Sequence, residues 1–360
     1  MIDRADIESA PTPTPVGADF HIRPQYKEKN MKINLKEYFT PAAIAQHLLA
    51  LPELESFIMD LVYQTRPTHP LPVLGVDELS SINTNVPVVK RGSAGVNLSG
   101  EAMTITYLEP QPVEVVSFLS ATDLNNLKLL GGEGTQHWVR GKVDTQRRAV
   151  RATTEALACQ SLTGKISYPM KTEGGLVKYE VDFGDTLKHT IPAAKSWDKP
   201  GTKISAILLD LIEMGKKIKA ASGYGAKIKY LAGQAAYMAL ADKILALPGD
   251  SKVAAAVTEH GINLAGFEIL LARGGYRDLL SNEWTSAVAD WQVLAVAVDA
   301  PFKLFYCALD DLNANLLPMP FYSRPIVKDY PSGYEIVGMS KPVPVPAVKA
   351  ICQAPAVEAP

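Results

Sequence analysis

A long two-stranded ribbon is the feature of this sequence that most restricts how the chain can fold. Residues 86–90 and 103–107 are both strand-like, and in the second run apolar and polar residues alternate with period two. Between them lies a tip at residues 92–100 that is rich in glycine, serine and asparagine. An isolated two-stranded ribbon is only marginally stable in water, so its apolar face needs a partner surface. That partner is either the core of the same chain or a neighbouring copy.

A proline-free, alanine-rich run predicts one long helix over residues 136–162, which Gly164 ends. Its apolar stripe consists of Val139, Val143, Val150, Leu157 and Leu162. The glycine-rich run at residues 131–134 precedes this helix. Because it lacks the lysine and hydroxyl residue of a phosphate-binding loop, it predicts a hinge between elements.

The first 65 residues predict an N-terminal arm that cannot bury a core of its own. Alternating prolines at residues 11–15 are followed by a basic stretch that extends to Lys36. A helix predicted over residues 42–51 begins after Thr40-Pro41, and Pro52 ends it. We expect this arm to lie on another surface.

The remaining sequence mixes helices and strands. Strand-like runs at residues 165–170 and 177–183 flank Gly174-Gly175 and predict a hairpin. Between residues 201 and 300, helices alternate with buried apolar strands, which is typical of a compact α/β domain. The elements predicted there are helices at 204–221, 234–247 and 253–259 and strands at 226–231, 267–271 and 293–298. The last strands are predicted at 303–309, 334–339 and 343–351, before a mobile tail at 352–360 that is rich in proline and alanine.

Composition and charge exclude several classes of function. The chain has 360 residues, of which 47% are hydrophobic, and this is enough for a substantial core. Its 36 basic residues against 38 acidic ones give a net charge of -2 and no global attraction to nucleic acid or to an anionic membrane. The longest apolar runs are about half as long as a membrane span requires, and the acidic N-terminus lacks an apolar signal region. We expect a soluble protein that is cytosolic when made, with no membrane partner.

A search for chemical sites leads us to predict no catalytic residue, no cofactor and no metal. The six histidines are scattered, and no pair has the spacing of two ligands to one metal. The three cysteines, Cys159, Cys307 and Cys352, are far apart and predict buried thiols in a reducing compartment. The adjacent carboxylates of Asp310 and Asp311 point to opposite faces of an extended chain, which predicts a solvated turn rather than an acid–base pair.

The arginines of the long helix allow two interpretations. Arg147, Arg148 and Arg151 either form local ion pairs on a solvated helix face, or make a weak contact with packaged nucleic acid or with an acidic surface of another subunit. A contact with nucleic acid of this kind would not depend on base sequence.

Several short motifs, taken in chain order, resemble one known family. They are Val88-Val89-Lys90-Arg91-Gly92, Leu162-Thr163-Gly164, Val181-Asp182-Phe183-Gly184, Ser196-Trp197, Tyr306-Cys307-Ala308, Tyr322-Ser323-Arg324-Pro325 and Ser340-Lys341-Pro342-Val343-Pro344. Over residues 70–350 their order and spacing resemble the major capsid protein E family of tailed phages, the lambda-type version of the Hong Kong 97-type capsid fold.

The resemblance implies an α+β chain with a defined set of parts. Residues 1–65 would form the N-terminal arm, 66–116 the extended loop hairpin and 201–300 an α/β axial domain. Residues 117–200 and 301–351 would form a peripheral domain whose spine is the helix at 136–162, and 352–360 a flexible tail. In that family the ribbon at residues 84–108 reaches across an adjacent subunit. The implied interface residues are Val88, Val89, Met103, Ile105 and Tyr107.

The function implied by the resemblance is structural. Copies of the chain, made in the host cytoplasm, would assemble as hexamers and pentamers into a closed icosahedral virion shell around double-stranded DNA. The shell would contact this DNA without sequence preference. Scaffolding, decoration and portal proteins are the other partners that such a shell implies. Two alternatives remain: a nanocompartment shell of the same fold, or an α/β enzyme with a site near Gly223 or Gly274-Gly275 that depends on Asp242 or Glu268.

Overall fold

A 41-residue helix lies at the centre of the fold, and sheets pack along it. The computed structural model describes residues 35–75, 107–248, 253–258 and 261–359. The α-helices are α1 Pro41–Leu49, α2 Phe57–Leu61, α3 Ala121–Ser161, α4 Ile204–Ser222 and α5 Gln234–Leu245. Short 3-10 turns lie at Leu35–Phe39, Ala193–Lys195, Leu312–Ala314 and Val348–Ala350.

The strands form several separate sheets. In chain order they are β1 Thr68–His69, β2 Leu74–Gly75, β3 Tyr107–Leu108, β4 Val113–Ser120, β5 Lys165–Thr172, β6 Gly175–Asp182, β7 Leu187–Lys188, β8 Ile228–Ala232, β9 Ala255–Val257, β10 Ile262–Leu264, β11 Phe267–Leu271, β12 Gly275–Arg277, β13 Trp284–Ser286, β14 Gln292–Ala297, β15 Lys303–Cys307, β16 Tyr322–Lys328, β17 Gly333–Ser340, β18 Pro342–Val345 and β19 Ile351–Pro355. The largest sheet has the order β7-β19-β14-β8-β11-β10-β9. Two three-stranded sheets have the orders β1-β15-β18 and β16-β17-β4, while β2–β3, β5–β6 and β12–β13 are paired ribbons.

Helix α3 contains the predicted long helix but begins fifteen residues before it. Its N-terminus is a capping box in which Ser120 Oγ accepts the Asp123 N–H and the Asp123 carboxylate accepts the Ser120 N–H. The backbone breaks at Gly131, where φ is 69° and ψ is -170°, a conformation that glycine adopts without strain. The predicted hinge at residues 131–134 is therefore confirmed as a kink. All five residues of the predicted apolar stripe are buried.

A buried glutamine forms hydrogen bonds between α3 and the sheet β16-β17-β4. Gln146 donates from Nε2 to the Ile336 carbonyl at 2.8 Å, and its Oε1 accepts the Ser323 hydroxyl at 2.9 Å. A Cβ atom on Gly338 would lie 2.7 Å from Gln146 Oε1, so only glycine lets the strand approach the helix this closely. The side-chain bonds of Gln146 thereby set the position of the sheet on the helix.

The section over residues 201–300 has the predicted α/β character. Helix α4 presents Ile207, Leu211, Met214 and Ile218 to the core, all fully buried, and ends at Gly223 with φ 75°. One element differs from the prediction: the short helix expected at 253–259 is strand β9, which pairs antiparallel with β10. This cross-strand pairing outweighs the helical composition of that alanine-rich run.

The C-terminal segment corrects the prediction of a flexible tail at residues 352–360. Strand β19 lies between β7 and β14 in the largest sheet, and Cys352, Ala354 and Ala356 are buried. Beyond the strand, the Ala356 carbonyl accepts the Trp197 N–H at 2.7 Å. Composition rich in proline and alanine suggested mobility, but pairing with strands distant in sequence orders these small side chains.

The described part of the N-terminal arm lies on its own chain. Leu35, Phe39 and Ile44 are buried, and α1 begins as predicted with Thr40 as its cap and Pro41 at its first position. The basic stretch before residue 35 lies outside the described residues. Within the described parts of the chain, no helix combines the length and the apolar character needed to traverse a lipid bilayer.

Candidate subunit interface

The base of the predicted extended loop is a short antiparallel strand pair. Strands β2 and β3 place Leu74 opposite Leu108 and Gly75 opposite Tyr107, so residues 75 and 107 lie side by side. Leu74 and Leu108 are buried in one apolar cluster with Phe305 of β15 and other residues, whereas Tyr107 is 65% exposed. The body of the subunit thus anchors the base of the loop and leaves Tyr107 uncovered. Of the predicted interface residues, Val88, Val89, Met103 and Ile105 lie outside the described residues.

The β5–β6 ribbon, residues 165–182, projects from the same cluster. Ile166 and Val181 at its base pack in that cluster, and Tyr168 and Tyr179 pack against it. Tyr179 Oη also donates to the carbonyl of Glu109, just after β3, at 3.4 Å. This ribbon confirms the predicted hairpin and lies beside the C-terminal end of the extended loop.

An open groove of about 700 Å³ runs along one side of α3. Its lining combines small residues of the helix with aromatic and charged residues; among them are Ala149, Ala152, Ala156, Phe57, Tyr168, Tyr276, Trp284, Arg148, Arg151, Arg273 and Arg277. Trp284 and the nearby Leu279 and Leu280 are exposed large apolar residues. Exposed apolar surface of this kind is typical of a protein–protein contact.

The arginines of α3 hold the arm segment at residues 52–60. Arg147 Nη2 donates to the Pro52 carbonyl at 2.6 Å and Arg151 Nε donates to Ser56 Oγ at 2.7 Å. Arg151 also forms an ion pair with Asp60 at 2.8 Å, so two of the three predicted contact residues serve the fold of their own chain. Arg148 pairs with Asp144 at 2.8 Å and is the most exposed of the three. A contact of these arginines with nucleic acid or another subunit stays a prediction.

Glu155 is a buried residue that the sequence analysis missed. Its two carboxylate oxygens accept the backbone N–H groups of Ile58 and Met59 at 2.7 and 3.0 Å, and both donors lie in the first turn of α2. Burial raises the pKa of Glu155. The signal in the sequence was a single carboxylate within an otherwise small and apolar stretch of a buried helix. Together with Arg147 and Arg151 it fastens the arm to α3.

We expect Glu155→Ala to lower the free energy of unfolding by about 2–4 kcal/mol, because two buried N–H groups lose their acceptors. Denaturation in urea, followed by circular dichroism, measures the loss. Glu133→Ala removes an exposed glutamate from the same helix and should change the free energy by less than about 0.5 kcal/mol. Equal stability of the two variants would contradict the role given to Glu155.

Three of the acidic residues considered for chemistry have structural partners. Asp311 is buried, pairs with Arg324 and accepts the N–H groups of Asn313 and Ala314, so the predicted solvated turn is wrong for this residue. Its neighbour Asp310 is exposed and pairs with Lys341 at 2.8 Å. Glu268, on which the enzyme alternative depends, pairs with Lys229 on the sheet surface. Among the residues that the structure describes, no group of histidine, cysteine or acidic side chains is arranged to hold a metal.

The comparison that decides the family is one of sequence. The sequence profile described as Phage major capsid protein E matches residues 40–356, which is most of the chain. The chain belongs to this capsid family. It is therefore a structural protein of the phage capsid shell, with the virion as its location, and not an enzyme.

Solved structures agree on the Hong Kong 97-type capsid fold. One is a protein described as the capsid protein of a prophage in Escherichia coli CFT073, with 16% identity, a TM-score of 0.59 and coverage of 89% of this chain and 99% of that one. Another is a phage-related protein from Bordetella bronchiseptica RB50, with 10% identity, a TM-score of 0.52 and coverage of 89% and 98%. A search of curated proteins found no match. The resemblance seen in the sequence motifs is confirmed, and the fold extends over nearly the whole length of these relatives.

Proposed function

We propose that copies of this chain join as hexamers and pentamers and close into an icosahedral head around double-stranded DNA, with the loop at residues 84–108 of each copy lying on an adjacent copy. The observation that carries this proposal is the contrast in burial at the base of the loop. Leu74 and Leu108 are fastened in the core while Tyr107, the next residue outward on β3, is left 65% exposed. An aromatic ring in that position supports a contact outside its own chain.

The domain divisions follow from the same proposal. In it, residues 117–200 and 301–351 form a peripheral domain built on α3, and residues 201–300 form an axial domain whose alternating helices and strands support the assignment. The largest sheet extends beyond that range, because it also contains β7 and β19. In this proposal the arm comprises residues 1–65 and the extended loop hairpin residues 66–116. Each contact between copies is modest, but every subunit makes several, and closure leaves few edges without a partner.

The proposed partners of the shell also include packaged DNA and accessory proteins. A net charge of -2 supports only a weak, sequence-independent contact with DNA. Arg148 is the best placed of the three helix arginines for such a contact, because its side chain is 55% exposed. Scaffolding, decoration and portal proteins are proposed partners during assembly.

A photo-reactive amino acid at position 107 tests the reach of the loop. We expect irradiation of assembled protein to yield a covalent species of twice the 38.9 kDa subunit mass, with the cross-link joining two copies. Mixing an isotope-labelled copy with an unlabelled copy distinguishes this product from one formed within a single chain. Cross-links found only within one chain would overturn the proposed reach of the loop.

A further inference from the structure

The β5–β6 ribbon has one apolar face and one polar face. Its register pairs Ile166 with Val181, Tyr168 with Tyr179 and Met170 with Val177. Because side chains alternate across a strand, these three pairs share one face of the ribbon. The pairs between them contain most of the ribbon's charged and hydroxyl side chains, and they are Lys165–Asp182, Ser167–Glu180, Pro169–Lys178 and Lys171–Leu176.

Burial of the apolar face decreases from the base of the ribbon to its tip. Ile166 and Val181 are 1% and 6% exposed, and the two tyrosines are half-buried. Met170 is partly exposed and Val177 is 45% exposed. The apolar cluster beneath the ribbon contacts the Ile166–Val181 pair and the two tyrosines, but it does not include Met170 or Val177. In the described part of the chain, the subunit's own core therefore covers only the inner half of this face.

We propose that the outer half of this face, Met170 and Val177 with the edges of Tyr168 and Tyr179, docks on a second copy of this chain in the shell. The proposal rests on the proposed function, since it assigns a second point of contact between copies. A two-stranded ribbon gains little stability from its own backbone pairing, so a regular apolar face that continues past the core implies a covering surface.

Charge and position identify a second copy as the occupant. The ribbon carries three lysines, at positions 165, 171 and 178, and three acidic groups, at positions 173, 180 and 182, so it offers no net attraction to DNA. Its base shares one cluster with Leu74 and Leu108, the anchors of the extended loop. Tyr179 also donates to the Glu109 carbonyl just after β3, so the ribbon lies beside the base of the extended loop, and one neighbouring copy can cover both.

The test is a double variant, Met170→Ser with Val177→Ser, compared with Leu176→Ser. Leu176 is a matched control because it is adjacent to Val177, is 63% exposed and lies on the opposite face. We expect the double variant to keep its circular dichroism spectrum and to lower the yield of particles at least about tenfold, since it removes two apolar side chains from each contact. The control should assemble like the unmodified protein.

The outcomes separate this inference from the proposed function. If the unmodified protein forms particles and the double variant forms them equally well, docking of the ribbon is overturned and the shell is not. If the unmodified protein forms no particles under any condition, the proposed function fails and this inference fails with it. If the Leu176→Ser control also failed to assemble, the effect would not be specific to the apolar face, and docking of that face would be overturned.

Oxidation of Met170 tests whether the covering surface belongs to another copy. Hydrogen peroxide converts accessible methionine to the sulfoxide, and mass spectrometry measures the rate at each position. We expect Met170 to react at least about tenfold faster in dissociated subunits than in particles, because burial protects the sulfur. The fully buried Met59 should stay slow in both. Equal protection of Met170 in both states would mean that its own chain covers it and would overturn the inference.

Discussion

Deletion of residues 351–360 should leave the chain unable to reach a stable fold. Strand β19 lies inside the largest sheet, where it pairs antiparallel with five residues of β14 and parallel with β7. Burial of Ile351 contributes about 1.5–3 kcal/mol, and each lost strand hydrogen bond about 1 kcal/mol. Removing a strand between two others also exposes the partners on both sides. The total is comparable with the net stability of a typical domain, about 5–15 kcal/mol.

Soluble yield and thermal unfolding by circular dichroism measure this effect. The matched control is deletion of residues 358–360, which removes the exposed ion pair between Glu358 and Lys199 and leaves β19 intact. Surface pairs contribute about 0–1 kcal/mol, so the control should melt close to the full-length protein. A 351–360 deletion that melts at the full-length temperature would mean that the segment is mobile, as its composition suggested.

The double substitution Ile105→Ser with Tyr107→Ser should leave the subunit folded and strongly impair assembly. Each residue, if covered by a neighbour, contributes about 1.5–3 kcal/mol of burial to the contact. Loss of both weakens each loop contact by about a hundredfold or more, and every subunit in a shell makes this contact. Tyr107 is exposed in the single subunit, so its replacement should cost little stability there.

Light scattering and sedimentation velocity report the assembly of this variant. The matched control is Thr104→Ser with Thr106→Ser, which changes the polar positions of the same alternating run. The control should assemble normally. Equally efficient assembly of both double variants would show that the apolar face of the run is not part of the interface.

The sequence predicted the elements whose patterns are local. Three predicted features depend on spacing within a few residues, and the structure confirms them. They are the apolar stripe of α3, the hairpin at β5–β6 and the start of α1 with proline at its first position. The true start of α3 was missed because three glycines at residues 131–134 interrupt the helical composition. The capping box formed by Ser120 and Asp123 was the signal for the earlier start.

Features that depend on contacts distant in sequence could not be predicted. Strand β19 is ordered by β7 and β14, which lie far from it along the chain. Glu155 accepts hydrogen bonds from residues 97 and 96 positions away, and nothing near it in the sequence indicates those donors. The interface at Val88, Val89, Met103, Ile105 and Tyr107 stays a prediction, and only Tyr107 lies among the described residues. The apolar face of the β5–β6 ribbon became visible only from register and burial together.

The central claim is that this chain encloses a space by joining many copies of itself. Negative-stain electron microscopy of the purified full-length protein, before and after concentration under assembly conditions, tests it most directly. We predict hollow, regular particles of uniform diameter. A protein that remains a dispersed monomer in every such condition, with no closed or partial shells in the micrographs, would contradict the account.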